Sequence, residues 1–257
     1  MTDADLIADL ILAARRAQRQ LDSLGPAAPE DAAAGYAAQF ALALKMDAVP
    51  PAGFKIGATA KVMQDYLGLT GPAAGFVARD GLLETGGSAR FTDFRKPGVE
   101  CEVALRLGAD LPPGPCSRDQ AGAAVAEVFA GIEIVEGRYG DLVALGTPTL
   151  IADQVFHAGG VLGIPAPGWP AIDLAAARGE IFVDGVSRGS GVGADLLGHP
   201  LAALAWLADS GAAHAFGGLK ARQVVFLGSV TPPIWLDGPC EVVVQFDLLG
   251  TTRLRFT

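Results

Sequence analysis

The chain has 257 residues, 51% of them hydrophobic, and a formal net charge of −9. That length allows one large domain or two small ones, with a substantial core. The acidic balance excludes a basic nucleic-acid surface, and no apolar run approaches the ~18 residues of a membrane span. A small anionic substrate stays open, because one bound cation reverses the local field. Met1-Thr2-Asp3-Ala4-Asp5 lacks the basic region of a secretory signal. The three cysteines, Cys101, Cys116 and Cys240, form no C-x-x-C pair. A reducing, cytoplasmic setting is therefore expected.

In chain order, Leu6, Ile7, Leu10, Ile11 and Ala14 recur at helical spacing, with Thr2 or Asp3 as N-cap and Gly25 as the stop. A second helix is expected from near Pro29, with Glu30 and Asp31 in its first turn, to before Pro50-Pro51. Gly53–Gly57 reads as a short strand and Lys61–Leu67 as a short helix. After about Phe76 the signals are mostly β. Ser117-Arg118-Asp119-Gln120 has the pattern of a capping box, opening a helix to about Ala130. Ile132–Val135 reads as a buried strand and Thr147–Gly163 as a turn-rich stretch. Asp184-Gly185 marks a hairpin. One helix is expected at Leu201–Leu207 after His199-Pro200, then strands at Val224–Leu227, Val242–Phe246 and Leu254–Phe256. The simplest organisation is one α+β domain, mostly helical over 1–75 and mostly β over 76–257.

Val99–Leu105 carries the chemistry. Val99, Cys101, Val103 and Leu105 alternate with Glu100, Glu102 and Ala104, which is the period of a strand. Glu100 and Glu102 then share a face, and adjacent carboxylates repel. Either that face is solvated, or the pair binds a hard cation such as Mg²⁺ or Mn²⁺ through oxygen.

Several segments, in order, resemble one family. Gly53-Phe54-Lys55-Ile56-Gly57-Ala58-Thr59 with Met63-Gln64 is similar to the G-x-K-I-G-x-T…M-Q segment of the 2-keto-4-pentenoate hydratases. Glu100-Cys101-Glu102 resembles their E-x-E, Ile132–Arg138 their E-I-(V/I)-D-S-R, and Ile151-Ala152-Asp153 their A-D-N segment. Leu197-Gly198-His199-Pro200-Leu201 with Ala205-Trp206-Leu207 resembles G-H-P-L…A-W-L, and Gly217–Lys220 with Leu227–Pro233 resembles G-L-K…G-S-x-T-P-P. The resemblance spans nearly the whole chain. It points to the hydratase/decarboxylase branch of the fumarylacetoacetate hydrolase superfamily.

That resemblance implies a mixed β-roll or sandwich core with peripheral helices, a homo-oligomer and a role in aromatic catabolism; charge and hydropathy, not the resemblance, predict no nucleic-acid or membrane partner. It implies a divalent ion, Mg²⁺ or Mn²⁺, on Glu100, Glu102 and Glu133, and a small 2-oxo acid as substrate. A buried carboxylate between Ile132 and Ile134 would also need a partner, whether an ion, Lys55 or Arg138. Lys55 matches the family's active-site lysine; read alone it is a solvated loop residue. Thr231, with Ser229, is implied to bind the substrate carboxylate, or else serves the turn before Pro232. Asp153 is either an acceptor near the site or a turn or cap residue; Glu136 either supports the site from behind or partners Arg138, and is not a ligand; His199 caps or packs the following helix, with catalysis as the lesser alternative. Two departures stand out: Ala73 replaces an expected acid, and Phe156-His157 replace small hydroxyl residues. His157 either substitutes as a general base or packs under the loop.

The expected function is a metal-dependent hydratase acting on a 2-hydroxy-2,4-dienoate or 2-oxo acid. The alternatives are a 2-oxo-enedioate decarboxylase, an acylpyruvate-type C–C hydrolase and a non-catalytic partner subunit.

Overall fold

The computed structural model describes residues 3–257, except the side chains of Val62 and Tyr66. Its elements, in chain order, are α1 (Asp3–Arg16), α2 (Ala32–Lys45), β1 (Gly53–Gly57), α3 (Lys61–Leu67), β2 (Ala73–Val77), β3 (Leu82–Glu84), β4 (Gly87–Ala89) and β5 (Pro97–Leu107). Then come α4 (Arg118–Ala123), β6 (Val125–Glu136), α5 (Leu142–Leu145), α6 (Thr147–Ala152), β7 (His157–Leu162), β8 (Arg178–Val183) and β9 (Val186–Val192). The chain closes with α7 (Pro200–Ala208), α8 (Gly211–Phe216), β10 (Val224–Ser229), β11 (Ile234–Trp235), β12 (Glu241–Phe246) and β13 (Gly250–Phe256). No helix among the described residues is long and apolar enough to cross a membrane.

Among the described residues, an eight-stranded sheet runs β2-β1-β10-β5-β6-β7-β3, with β11 paired to β5, and a five-stranded sheet runs β4-β13-β12-β8-β9. The long antiparallel pair β5/β6 is the spine of the large sheet. One face of β5 turns to the smaller sheet: a Cβ on Gly179 of β8 would meet Phe246 at 2.5 Å and Cys101 Sγ at 2.9 Å. The other face carries Glu100, Glu102 and Ala104 into the curl of the large sheet. Ala104, Phe129, Leu162, Val224, Phe226 and Val77 plug that curl. The Phe226 ring lies against Gly131 and Gly160, and a Cβ at Gly160 would come within 2.3 Å of it. Gly160→Ala is accordingly expected to cost about 1–3 kcal/mol through overpacking, read as a lower urea midpoint.

Six features depart from the sequence reading. Thr2 lies outside the described residues, while Asp3 is the first helical residue of α1. α1 ends at Arg16, well before Gly25, because Gln18 turns left-handed (φ 47°) and its amide donates to the Thr92 and Asp93 carbonyls. Asp31 is the N-cap of α2, accepting from Ala34 N at 2.8 Å, and so stands before the first turn. The capping box at Ser117/Gln120 is present, but α4 stops at Ala123. From Val125 the β-branched and aromatic residues pair with β5 instead. The stretch 147–163 holds α6, with proline in its first turn, and β7; α8 joins α7 as a second helix in the C-terminal part. His199 does cap α7, accepting from Leu201 N at 3.0 Å, and Asp184-Gly185 forms the hairpin turn with φ of 50° and 75°.

Candidate active site

The β5/β6 register sets three carboxylates together. Glu100 lies directly opposite Glu133, and Glu102, two residues on, shares their face. One oxygen from each lies within 4.8 Å of the others. Glu102 and Glu133 are wholly buried. Glu102 Oε2 accepts the Gly228 N–H at 2.7 Å. That N–H is presented by an irregularity in β10, where Gly228 takes φ +115° and a Cβ would strike Thr59. Glu102 Oε1 and Glu133 Oε2 have no partner. Orphaned buried carboxylate oxygens are costly, and three converging oxygen donors are what Mg²⁺ or Mn²⁺ takes. The donor set therefore fits a divalent ion.

Electrostatics separates the three. Burial, then Glu133, pushes Glu100 up to about 8, against the pull of Lys55. Burial, Glu133 and Glu100 hold Glu102 well above the ordinary range, although the Gly228 N–H opposes this. Burial would raise Glu133 as well, but Lys55 and His157 outweigh it and keep it below the ordinary value. Lys55, on β1 and 2% exposed, places Nζ 3.4 Å from Glu133 Oε1 and donates to the Val155 carbonyl at 2.5 Å. His157 Nδ1 lies 2.8 Å from the same Glu133 oxygen. An ionised carboxylate only accepts, so Nδ1 carries the proton. Burial depresses the His157 pKa despite Glu133.

A cavity of about 390 Å³ opens from Glu100 and Lys55. Its wall includes Met63, Leu142, Val155, Phe156 and Trp235, with Arg95 and Lys96 also lining it. His157, Asp153, Ser229 and Thr231 are not among the described lining residues. His157 stands behind Glu133 instead of facing the cavity. Ser229 Oγ donates to the Cys101 carbonyl (3.3 Å), lies 3.4 Å from Thr231 Oγ1 and accepts from Thr231 N. Ala73 is buried opposite Gly57.

Asp153 occupies a buried cluster and is not a free acceptor. Its oxygens accept Arg15 Nε at 2.6 Å, Arg138 Nε at 2.9 Å and the Tyr139 hydroxyl at 2.6 Å. Glu136 pairs with Arg138, as the sequence suggested, at 3.2 Å. The cluster borders an unusual turn in which Gln154, Val155 and Phe156 are all left-handed, at φ 62°, 49° and 68°. Such strain persists only where surroundings over-determine it. Here Arg15 Nη1 donates to Gln154 Oε1, Gln154 Nε2 to the Phe76 carbonyl, and Phe156 N to the Tyr139 hydroxyl. The turn delivers the Val155 carbonyl to Lys55 and the Phe156 ring to the cavity. Sequence reasoning missed Arg15, Gly228 and Trp235. For Trp235 the signal was weak, an aromatic in a two-residue strand; for Arg15 there was none.

No protein-family model matches the chain. Among curated proteins it is 32% identical over 212 residues to the 2-hydroxyhexa-2,4-dienoate hydratase of Comamonas testosteroni, spanning 80% of this chain and 78% of that protein. It is 30% identical to the 2-keto-4-pentenoate hydratase of Burkholderia vietnamiensis over an alignment of 265 positions that covers 100% of both chains. Among solved structures, 4-oxalocrotonate decarboxylase from Pseudomonas putida G7, complexed with magnesium and adipate, superposes with a TM-score of 0.90 at 23% identity, covering 100% of this chain and 99% of that one. The chain thus has the fold of the fumarylacetoacetate hydrolase superfamily, is an enzyme of the hydratase/lyase kind, and belongs to the 2-keto-4-pentenoate hydratase family.

Proposed function

We propose that the protein is a divalent-metal-dependent hydratase of a 2-hydroxy-2,4-dienoate or related 2-oxo acid. The observation that carries the reading is the Glu100/Glu102/Glu133 cluster, with its orphaned oxygens, beside Lys55, with Glu100 and Lys55 on the wall of the cavity. The relatives' named reactions and the magnesium held by the decarboxylase of similar fold support it. Glu100, Glu102 and Glu133 would hold the ion. When bound, the ion would supply Lewis-acid polarisation of the substrate's 2-oxygen and charge for its carboxylate.

The chain's own groups do the rest. Gly228 N–H and His157 Nδ1–H fix the outer oxygens of Glu102 and Glu133, so the remaining oxygens face inward. Lys55, the cationic side chain nearest that cluster, is oriented by Val155 and Glu133 and moves protons at the substrate's chain carbons. For the five-carbon dienoate, hydration loses the enol proton, adds protons at C3 and C5, and adds hydroxide at C4. Met63, Phe156 and Trp235 shield the conjugated chain from bulk water. His157 positions Glu133 and is not itself the base. Thr231, Ser229 and Asp153 act through the backbone they hold.

Lys55→Met is expected to lower kcat about 10²–10⁴-fold, the scale of a general acid–base group, with the ion still bound by calorimetry. Unchanged turnover would remove Lys55 from the mechanism. Assay of wild type with Mg²⁺ on 2-hydroxypenta-2,4-dienoate, with NMR of the product, tests the function itself. A hydroxy-oxo acid supports hydration, whereas loss of CO₂ from an enedioate supplied in parallel would assign decarboxylation.

A further inference from the structure

Lys96, immediately before β5, continues the ladder with β6: its carbonyl accepts the Gly137 N–H at 2.8 Å. Strand alternation then puts Lys96, Gly98, Glu100 and Glu102 on one face. Gly98 has no side chain to interrupt that line. A Cβ there would strike the Trp235 ring at 2.8 Å, so the indole lies across the gap between Lys96 and Glu100. Lys96 Nζ sits 5.3 Å from the Trp235 ring centroid, and Lys96 and Glu100 both line the cavity. Arg95 lines it too, held through neutral acceptors: the Gly137 carbonyl at 3.1 Å and Gln20 Oε1 at 3.2 Å. Among the described residues neither Arg95 nor Lys96 has a carboxylate within ion-pair distance of its side chain. The neighbouring carboxylate, Glu136, accepts the Arg95 backbone N–H at 2.6 Å and pairs with Arg138. In a chain of net charge −9, two cations on the wall of one cavity whose side chains lack an ion-pair partner are a local reversal that fits an anion.

We propose that Lys96, supported by Arg95, binds a second carboxylate at the far end of the substrate, so that the enzyme prefers 2-oxo-alkenedioates to monocarboxylic 2-oxo acids. This rests on the hydratase reading, in which the first carboxylate lies at the Glu100 end. At about 3.3 Å per strand residue, Lys96 and Glu100 are roughly 13 Å apart at their Cα atoms. With both side chains reaching inward, that span suits a six- or seven-carbon chain lying over Trp235 and Phe156.

The test compares matched six-carbon pairs with Mg²⁺ present. Turnover is measured on 2-hydroxyhexa-2,4-dienedioate and 2-hydroxyhexa-2,4-dienoate, and calorimetric binding on 2-oxoadipate and 2-oxohexanoate. Wild type is expected to favour the dioic member about 10- to 100-fold in kcat/KM and in Kd, the scale of one charged hydrogen bond. Lys96→Gln is expected to bring both ratios close to one through KM, and Lys96→Arg to restore them. A wild-type preference for the monocarboxylates, or ratios untouched by Lys96→Gln in a normally folded variant, would overturn the proposal and leave Lys96 as packing for Trp235. Failure to turn over either dienoate would count against the hydratase reading alone. The binding ratios would still decide the anion site.

Discussion

Glu102→Gln is expected to abolish turnover, by about a thousandfold or more, and yet to stabilise the metal-free protein. The first effect follows from the proposed ligand role: the loss of one of three oxygen ligands removes several kcal/mol of charge stabilisation. The second follows from burial. Glu102 is 0% exposed, one of its oxygens has no partner, and burial, Glu133 and Glu100 hold its carboxyl well above the ordinary range. A raised folded-state pKa means that the folded protein binds more protons than the unfolded chain. Stability without metal therefore falls as pH rises above the ordinary carboxylate value of about 4.3. For Glu100 the fall continues to its folded value of about 8. A glutamine keeps the acceptor for the Gly228 N–H and offers an amide to the Glu100 and Glu133 oxygens, without the charge. The gain at pH 7 in chelator is expected to be about 1–2 kcal/mol, or about 2–6 °C in Tm. With Mg²⁺ the order reverses, because the ion stabilises only the chain that binds it. Melting both proteins in chelator and in Mg²⁺, at pH 5 and pH 8, decides the matter. A variant that melts lower in chelator, or that binds Mg²⁺ as wild type does, would sink the assignment.

The carboxylate pair was legible because a strand's period of two is rigid: Glu100 and Glu102 had to share a face once Val99–Leu105 was a strand. Glu133 was legible only through its improbable place between Ile132 and Ile134 and through the family resemblance. What the sequence concealed depends on partners distant in the chain. Val125–Phe129 follows a well-formed capping box, and only the pairing with Leu107–Ala104 turns it from helix to strand. Gln154-Val155-Phe156 contains no glycine or asparagine to announce a left-handed turn, which Arg15 imposes from 139 positions away. His157 could be read equally as a base or as packing. Its neighbour Glu133, twenty-four positions earlier, draws it behind the carboxylates.

Asp153→Asn is expected to destabilise the protein by about 3–5 kcal/mol, the scale of breaking a buried ion pair from one side. Asp153 is the shared counter-charge of Arg15 and Arg138, at 2.6 and 2.9 Å, and asparagine would leave both guanidinium groups without it. Arginine cannot shed its proton to escape. The left-handed turn beside it stores roughly 1–3 kcal/mol per residue, and without the clamp it relaxes. The Val155 carbonyl then leaves Lys55, so turnover should fall even under conditions where the variant is fully folded. The pH dependence carries its own sign. Burial would raise the Asp153 pKa, but Arg138 and Arg15 overcome it and hold the carboxyl below the ordinary range. Its stabilisation is complete above about pH 4, the unfolded value, and is lost as pH falls through the lower folded value. Wild type should therefore show a steep acid limb in urea midpoint that Asp153→Asn lacks. Tyr139→Phe, which removes a single hydroxyl from the same carboxylate, should cost only about 1 kcal/mol and keep that limb. If Asp153→Asn cost no more than Tyr139→Phe, the cluster would be incidental to the turn. Lys55 would then need another explanation for its place beside Glu133.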